Sequence, residues 1–185
     1  MARGSDIENR NFLSPTGFKL VLKRSPKVAF FCNEANIPDL NLAIATQPVR
    51  MGRNIPQPGN KVEFGDLNLR FIVDEDLGNY MEIQRWIRGL GYPESVGEFQ
   101  QLESESVVQT GYYTNTGQNI YSDGTLQVLN SNMVSNFQVF FKDLFPYSLG
   151  TLTFDATMTD IQYFTANVSF KYTIYNITDL SGNPL

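Results

Sequence analysis

The sequence predicts a mainly β fold, an antiparallel β-sandwich or barrel with one packed α-helix, and three observations predict it. Apolar residues recur with a period of two in several short stretches, most clearly at Phe164, Ala166, Val168, Phe170, Tyr172 and Ile174, with Tyr175 adjacent. Only the segment from Asp74 to Gly91 carries a sustained helical period. Gly, Pro and Asn break the chain at short intervals between these stretches. A chain of 185 residues, 42% of them hydrophobic, has the apolar content to bury the core of one domain, and an aromatic share of 13% excludes a disordered class.

Residues 1–12, MARGSDIENRNF, are small, polar and charged apart from the last, and read as a flexible N-terminal arm without a core of its own. One β domain is expected over 13–180, with 181–185 as a C-terminal tail. SPTGF at Ser14–Phe18 is a turn signal, FKLVL at Phe18–Leu22 a strand, and Val28–Asn33 a second strand. Leu40–Thr46, bounded by Pro38 and Pro48, suits a strand edge or an extended connection. From Arg50 to Glu63 the prolines and glycines of MGRNIPQPGNKVE mark an exposed loop, the most basic patch of the chain through Arg50, Arg53 and Lys61. Phe64–Val73 alternates again, burying Leu67, Leu69 and Phe71 while Asn68 and Arg70 face out.

In DEDLGNYMEIQRWIRGLG, Asp74 or Asp76 is the expected helix N-cap and Arg85 and Arg88 complement the dipole late in the helix. Leu77, Tyr80, Ile83, Trp86, Ile87 and Leu90 form its core stripe, and Gly89, Gly91 and Pro93 close it. Residues 94–132 are polar and read as an exposed insertion with a hairpin turned at Asp123–Gly124, alternating only around Thr125–Leu129. Val134–Lys142 is a strand, DLFPYSLG a tight hydrophobic connection, and Thr151–Thr153 a short strand. The terminal alternation over Ile161–Ile177 exceeds a usual strand, so it either crosses a sheet corner or continues into an assembly. Its alternate face, Thr165, Asn167, Ser169, Lys171 and Thr173, suits water or a wet lumen.

The absence of histidine removes the imidazole-based triads and metal sites, so no catalytic residue, cofactor or metal is expected and the chain is not read as an enzyme. The acidic run Asp74, Glu75, Asp76 has a structural purpose at a helix start, and is preferred in that role over a cation site. Glu94, Glu98, Glu103 and Glu105 read as a solvated face, and nothing holds Asp155 and Asp160 in the fixed separation that glycoside chemistry needs. Cys32 has no partner in the chain and reads as a small buried hydrophobe, which points to an intracellular redox setting. The N-x-S/T patterns at Asn167 and Asn176 fall in the terminal alternation and read as chance. No apolar stretch is long enough to span a bilayer, and residues 1–10 do not lead into a secretory signal, so synthesis in the cytoplasm is expected. The net charge of −5 divides unevenly: residues 1–92 hold twelve basic and ten acidic side chains, whereas 93–185 hold two and nine. The second half therefore offers little to attract nucleic acid.

Arms and loops that are costly to order unless they bind, sheet edges that need covering, and missing chemistry together point to a self-assembling structural protein. In NFLSPTGFKLVL at Asn11–Leu22, FGDLNLRFIVDEDLGNYMEIQRWI at Phe64–Ile87 and LFPYSLGTLTFDATMTDIQYFTANVSFKYTIYNI at Leu144–Ile177 the sequence resembles the tail tube proteins of T4-like contractile-tailed bacteriophages, together with the related baseplate tube initiator. The likeness spans about Asn11–Asp179 and is least in 93–132. It implies a tube-type β domain whose copies form hexameric rings, with sheets joined edge to edge into an inner barrel, stacked around a tape-measure protein into a virion tail conduit for DNA. Sheath and baseplate proteins are the further implied partners, and DNA passes without specific binding. The resemblance makes Phe164, Ala166, Val168, Phe170, Tyr172 and Ile174 the candidate inner-sheet strand. It makes the arm and Arg50, Arg53, Asn54 and Lys61 the candidate ring-to-ring contacts. An acidic second half suits a conduit that must not retain phosphates. The tube of a contractile injection system is an alternative. A carbohydrate-binding module using Tyr112, Tyr113 and Tyr121 is the alternative of another class.

Overall fold

A computed structural model describes residues 13–48, 52–102, 120–155, 157 and 163–185. Within them, period-two patterning becomes strand wherever one face finds a core. β1 (Phe18–Leu22) buries Leu20 and Leu22 and pairs antiparallel with β6 (Ser122–Leu129). β6 pairs on its other side with the first part of β7 (Ser135–Leu149), and β9 (Ile174–Thr178) lies across β7 from it. The last residues of β7 leave this group and pair with β8 (Thr165–Lys171), which is followed by β5 (Leu67–Ile72) and β2 (Cys32–Ala35). β7 is therefore the strand that joins two half-sheets. β3 (Leu40–Pro48) and β4 (Asn54–Phe64) form a separate two-stranded hairpin between β2 and β5 in the chain.

The two half-sheets share one core. Leu126, Val139, Phe141 and Leu144 come from one, and Leu67, Leu69, Phe71, Ala166, Val168 and Phe170 from the other. α2 (Gly78–Gly91) lays Ile83 and Trp86 on this core, with the Trp86 ring 6.1 Å from that of Phe170 and its Nε1 donating to the Ile120 carbonyl at 2.9 Å. That bond lets a large ring be buried without stranding its N–H. The mainly β, antiparallel class read from the sequence holds, with α2 as its packed helix.

The long terminal alternation crosses a corner, one of the two alternatives its length allowed. Lys171 faces Phe145 and Ile174 faces Lys142, an equal advance on both strands, so β8 and β9 follow β7 in one register across a gap at Tyr172–Thr173. Opposite the gap, Asp143 takes a positive φ of 56°. The gap also shifts which residues face inward, so Tyr172 and Tyr175 both pack against the core although they are three apart.

Several local expectations are corrected. Val28 lies in a short helix, α1 (Pro26–Phe30), because Pro26 presets the first helical turn; only Cys32 and Asn33 of that predicted strand enter β2. Neither Asp74 nor Asp76 caps α2: the N-cap residue is Leu77, and no acid stands in the first turn. Buried Asn79 organises this start instead, accepting from the N–H groups of Asp74 and Tyr80 and donating to the Ile72 carbonyl. The helix runs through Gly89 to Gly91 and ends at Tyr92, whose N–H bonds the Arg88 carbonyl.

Arg50–Glu63 is not a loop beyond residue 53 but most of β4, where Pro56 and Pro58 are tolerated because a two-stranded hairpin has open edges. Asp123 and Gly124 are strand residues within β6, Gly124 standing opposite Leu22, where an added Cβ would sit 3.1 Å from a Leu22 methyl carbon. The turn lies at Asn130–Val134, where the Asn130 Oδ1 accepts from the N–H groups of Asn132 and Val134. The segment 94–132 thus contributes a central strand, and 96–102 is helical, with Leu102 buried. DLFPYSL continues β7, and 151–153 is not strand. The tail does not hang free: Asp179 accepts from the N–H groups of Ser181 and Asn183, and Pro184 bridges Thr178.

Candidate assembly surfaces

The β3–β4 hairpin presents the first surface. Every residue of β3 is exposed, as is every residue of β4 except half-buried Gly59 and Phe64. Directly paired residues share a face, so Leu40 with Phe64, Leu42 with Val62, Ile44 with Pro58 and Thr46 with Pro56 make an almost wholly apolar side. The opposite side carries Asn41 with Glu63, Ala45 with Gln57, and Gln47 with Ile55; the two glutamines bond at 2.6 Å. A bulge at 59–61 brings Gly59 so near Ala43 that an added Cβ would lie 2.5 Å from its carbonyl oxygen. With nine residues in β3, the hairpin reaches about 30 Å.

Its base is fixed by aromatics from the sheet corner. Phe64 lies edge-on to Tyr172 and Tyr175, and both tyrosines also contact Phe141. The Tyr172 hydroxyl donates to the Gly65 carbonyl at 2.9 Å, and that of Tyr175 to the Pro38 carbonyl at 3.3 Å. Burial pushes the Tyr172 phenol up to about 12, so it stays a donor well into the alkaline range. The hairpin is thus anchored at both strands while its apolar side beyond Phe64 remains uncovered.

The exposed face of β2, β5, β8 and the end of β7 is the second surface. Asn68, Arg70, Thr165, Asn167, Ser169 and Lys171 point away from the core residues between them. Their polar groups are tied together: Ser169 donates to the Asn68 side chain at 2.7 Å, the Asn68 N–H donates to Asn36, and Asn36 donates to the Asp66 carbonyl. Arg70 pairs with Glu34 at 2.5 Å, and Asp66 takes Lys171 and the Tyr147 hydroxyl. The Lys171 and Tyr147 bonds hold the Asp66 carboxyl below its ordinary range, and Lys171 is raised in turn. The charges on this face balance, two cations against two anions. Among the described residues the outer edges of β2 and of Phe145–Leu149 pair with no strand, and Pro146 suits such an edge.

The sequence-predicted residues distribute over both surfaces. Ala166, Val168 and Phe170 point into the subunit core, while the other side of β8 forms the polar face. Phe164 precedes β8, Tyr172 sits in the gap, and Ile174 belongs to β9. Arg53 is exposed beside the hairpin turn, Asn54 begins β4 opposite Pro48, and Lys61 pairs with Glu63 at 2.7 Å on the exposed hairpin. Arg50, the arm of residues 1–12, Glu103, Glu105, Tyr112, Tyr113 and Asp160 lie outside the described residues. Tyr121 packs edge-on to Phe145, and Glu94 and Glu98 both pair with Arg88. Cys32 is half-buried, its thiol pushed up to about 11 by burial. The apolar hairpin residues Leu40, Leu42, Ile44 and Val62 were missed as functional, although Leu-Asn-Leu-Ala-Ile shows their alternation.

An uncovered apolar hairpin and a polar sheet with two open edges are surfaces made to associate. The family model for phage tail tube proteins matches residues 9–178, and the chain belongs to that family as a structural tube subunit. No characterised protein sequence matches it significantly. A chain of the structure of the anti-feeding prophage tube-terminating cap shares the fold at a TM-score of 0.57 and 16% identity, covering 97% of this chain and 99% of that one. A chain of the sheath–tube complex of an extracellular contractile injection system in its extended state gives 0.56 and 14%, covering 97% and 100%. A chain of the anti-feeding prophage baseplate gives 0.54 and 12%, covering 97% and 99%.

Proposed function

We propose that this chain builds the tail tube itself, as hexameric rings stacked into a conduit for DNA ejection, and that it acts without catalysis. The observation that carries this is the four-stranded polar sheet with both edges open. An open edge in one subunit is a template for pairing with the next, and closing such sheets into a ring removes every edge. In that ring the Thr165, Asn167, Ser169, Lys171 side lines the lumen, whereas Ala166, Val168 and Phe170 hold the strand from behind. The lining is then neutral rather than acidic, since β8 and Phe145–Leu149 contribute no acid and Arg70 and Lys171 are paired. A surface with its cations already engaged gives phosphates nothing to grip, which serves passage as well as net acidity does.

The hairpin with Arg53, Asn54 and Lys61, together with Arg50 and the arm, makes the ring-to-ring contacts in this reading. Sheath outside, baseplate at the start and tape measure within are the partners of a virion tail, the subunit being made in the host cytoplasm. Electron microscopy of the full chain assembling from its baseplate tests the proposal. Tubes of many rings support it; growth that stops at a single ring assigns the chain to the initiator role instead. Deleting Ala2–Arg10 should leave a folded subunit and weaken stacking, and unchanged polymerisation removes the arm from the account.

A further inference from the structure

The polar sheet has two unlike ends. The hairpin leaves from the end marked by Ala35, Leu67 and Lys171, where Tyr172 and Tyr175 hold its base. The register places Cys32, Ile72, Thr165 and Leu149 at the other end. Around that end Phe30 is 82% exposed, Tyr163 80% and Phe154 73%, and Phe154 packs on Phe164 with ring centres 4.7 Å apart. Large rings left this open on one side of a domain need a cover.

The same end is acidic on balance, although Lys27 of α1 also stands there, next to Asp74. Glu75, Asp76 and Asp155 are exposed there, and Glu75 and Asp76 make no ion pair among the described residues. The role that sequence gave the acidic run, capping α2, is not the one it has, because the helix starts from Leu77. At the opposite end the hairpin combines an uncovered apolar side with Arg53 beside its turn. One end is aromatic and acidic on balance, and the other is apolar with the cation Arg53 beside its tip, Lys61 being paired with Glu63.

We propose that the aromatic and acidic end is the seat for the hairpin of a second copy of this chain. The Leu42–Ile44–Val62 side covers Phe30, Phe154 and Tyr163, and Arg53 meets Glu75 and Asp76. This deepens the tube reading and rests on it, since it names the receiving surface of each stack. Contact between two different patches of one molecule is head-to-tail and does not close on itself, so it propagates along an axis. Two hairpins facing one another would instead bring Arg53 against Arg53 and end at a pair.

Full-length variants, compared by sedimentation velocity and negative-stain microscopy, test this. Glu75→Lys with Asp76→Lys, and separately Phe154→Ser with Tyr163→Ser, should leave the subunit folded and raise the concentration needed for stacking by at least about tenfold. Arg53→Glu alone should do the same, and Arg53→Glu combined with Glu75→Lys and Asp76→Lys should recover stacks. If these end-directed variants stack like the unaltered chain while Leu42→Ser with Ile44→Ser does not, the seat is wrong and the hairpin's role stands. Discrete pairs joined hairpin to hairpin also overturn the seat. Normal stacking by every variant, or an unaltered chain that stays monomeric, overturns both.

Discussion

The replacement of Leu42 and Ile44 by serine isolates what the hairpin does, because neither residue supports its own subunit. Leu42 is 49% exposed and Ile44 70%, so a partner covering both removes from water slightly more than one full aliphatic side chain. Complete burial of such a chain contributes about 1.5–3 kcal/mol, which places the loss at about 2–3.5 kcal/mol per contact. That corresponds to a weakening of about 30- to 300-fold in each ring-to-ring association. The isolated subunit should change by about 0.5 kcal/mol or less, as for other exposed substitutions. Thermal unfolding monitored by circular dichroism, alongside light scattering over a protein dilution series, measures the two quantities separately. A variant that assembles at the concentrations of the unaltered chain refutes the reasoning. So does one that unfolds many degrees earlier, since the apolar side would then be packed within its own domain.

Other perturbations address the core and the anchors. Phe170→Asp puts a charge at a fully buried position beside Trp86 and should abolish the cooperative unfolding transition, whereas Phe170→Ala should cost about 3–5 kcal/mol in a denaturant titration. Asn79→Ala strands the Asp74 and Tyr80 N–H groups and the Ile72 carbonyl, and should cost at least about 2 kcal/mol by the same assay. The raised Tyr172 phenol is protonated in the folded chain where an unfolded tyrosine has begun to ionise, so its contribution is full below about pH 10 and lost as pH rises toward about 12. Unfolding midpoints measured across that interval should fall less steeply in Tyr172→Phe. The depressed Asp66 carboxyl works in the opposite sense: its contribution is present above about pH 4 and lost as the pH falls through its lower folded value. Asp66→Asn should flatten the acid side of the stability profile.

Strands with one buried face were legible because burial imposes the alternation directly: Leu67, Leu69 and Phe71 of β5 and Ala166, Val168 and Phe170 of β8 are core residues as read. The stripe of α2 was legible for the same reason, yet its start was not, since Asp74 resembles a cap in sequence while the buried amide of Asn79 performs that organisation. Proline misled twice. Pro56, Pro58 and Pro146 are forbidden only where their missing N–H is needed, and at open edges it is not, so β4 and the end of β7 looked like loops. β6 was read only over Thr125–Leu129 and as part of an exposed insertion, because its pattern alternates buried with half-buried rather than with exposed and Asp123–Gly124 looked like a turn. Of the assembly surfaces, the hairpin was marked by Arg53 and Lys61, and Leu40, Leu42 and Ile44 alternate in the sequence, but that they share one exposed side with Val62 follows only from the pairing.

The central claim is that the face carrying Thr165, Asn167, Ser169 and Lys171 lines a lumen while Ala166, Val168 and Phe170 stay within each subunit. A cryo-electron microscopy reconstruction of tubes assembled from the full chain measures this directly. The account predicts a hollow stack of rings in which β2 of one subunit adjoins Phe145–Leu149 of its neighbour and the four polar residues of β8 face the channel. A tube whose channel is lined by another sheet, with β8 turned outward, would contradict it.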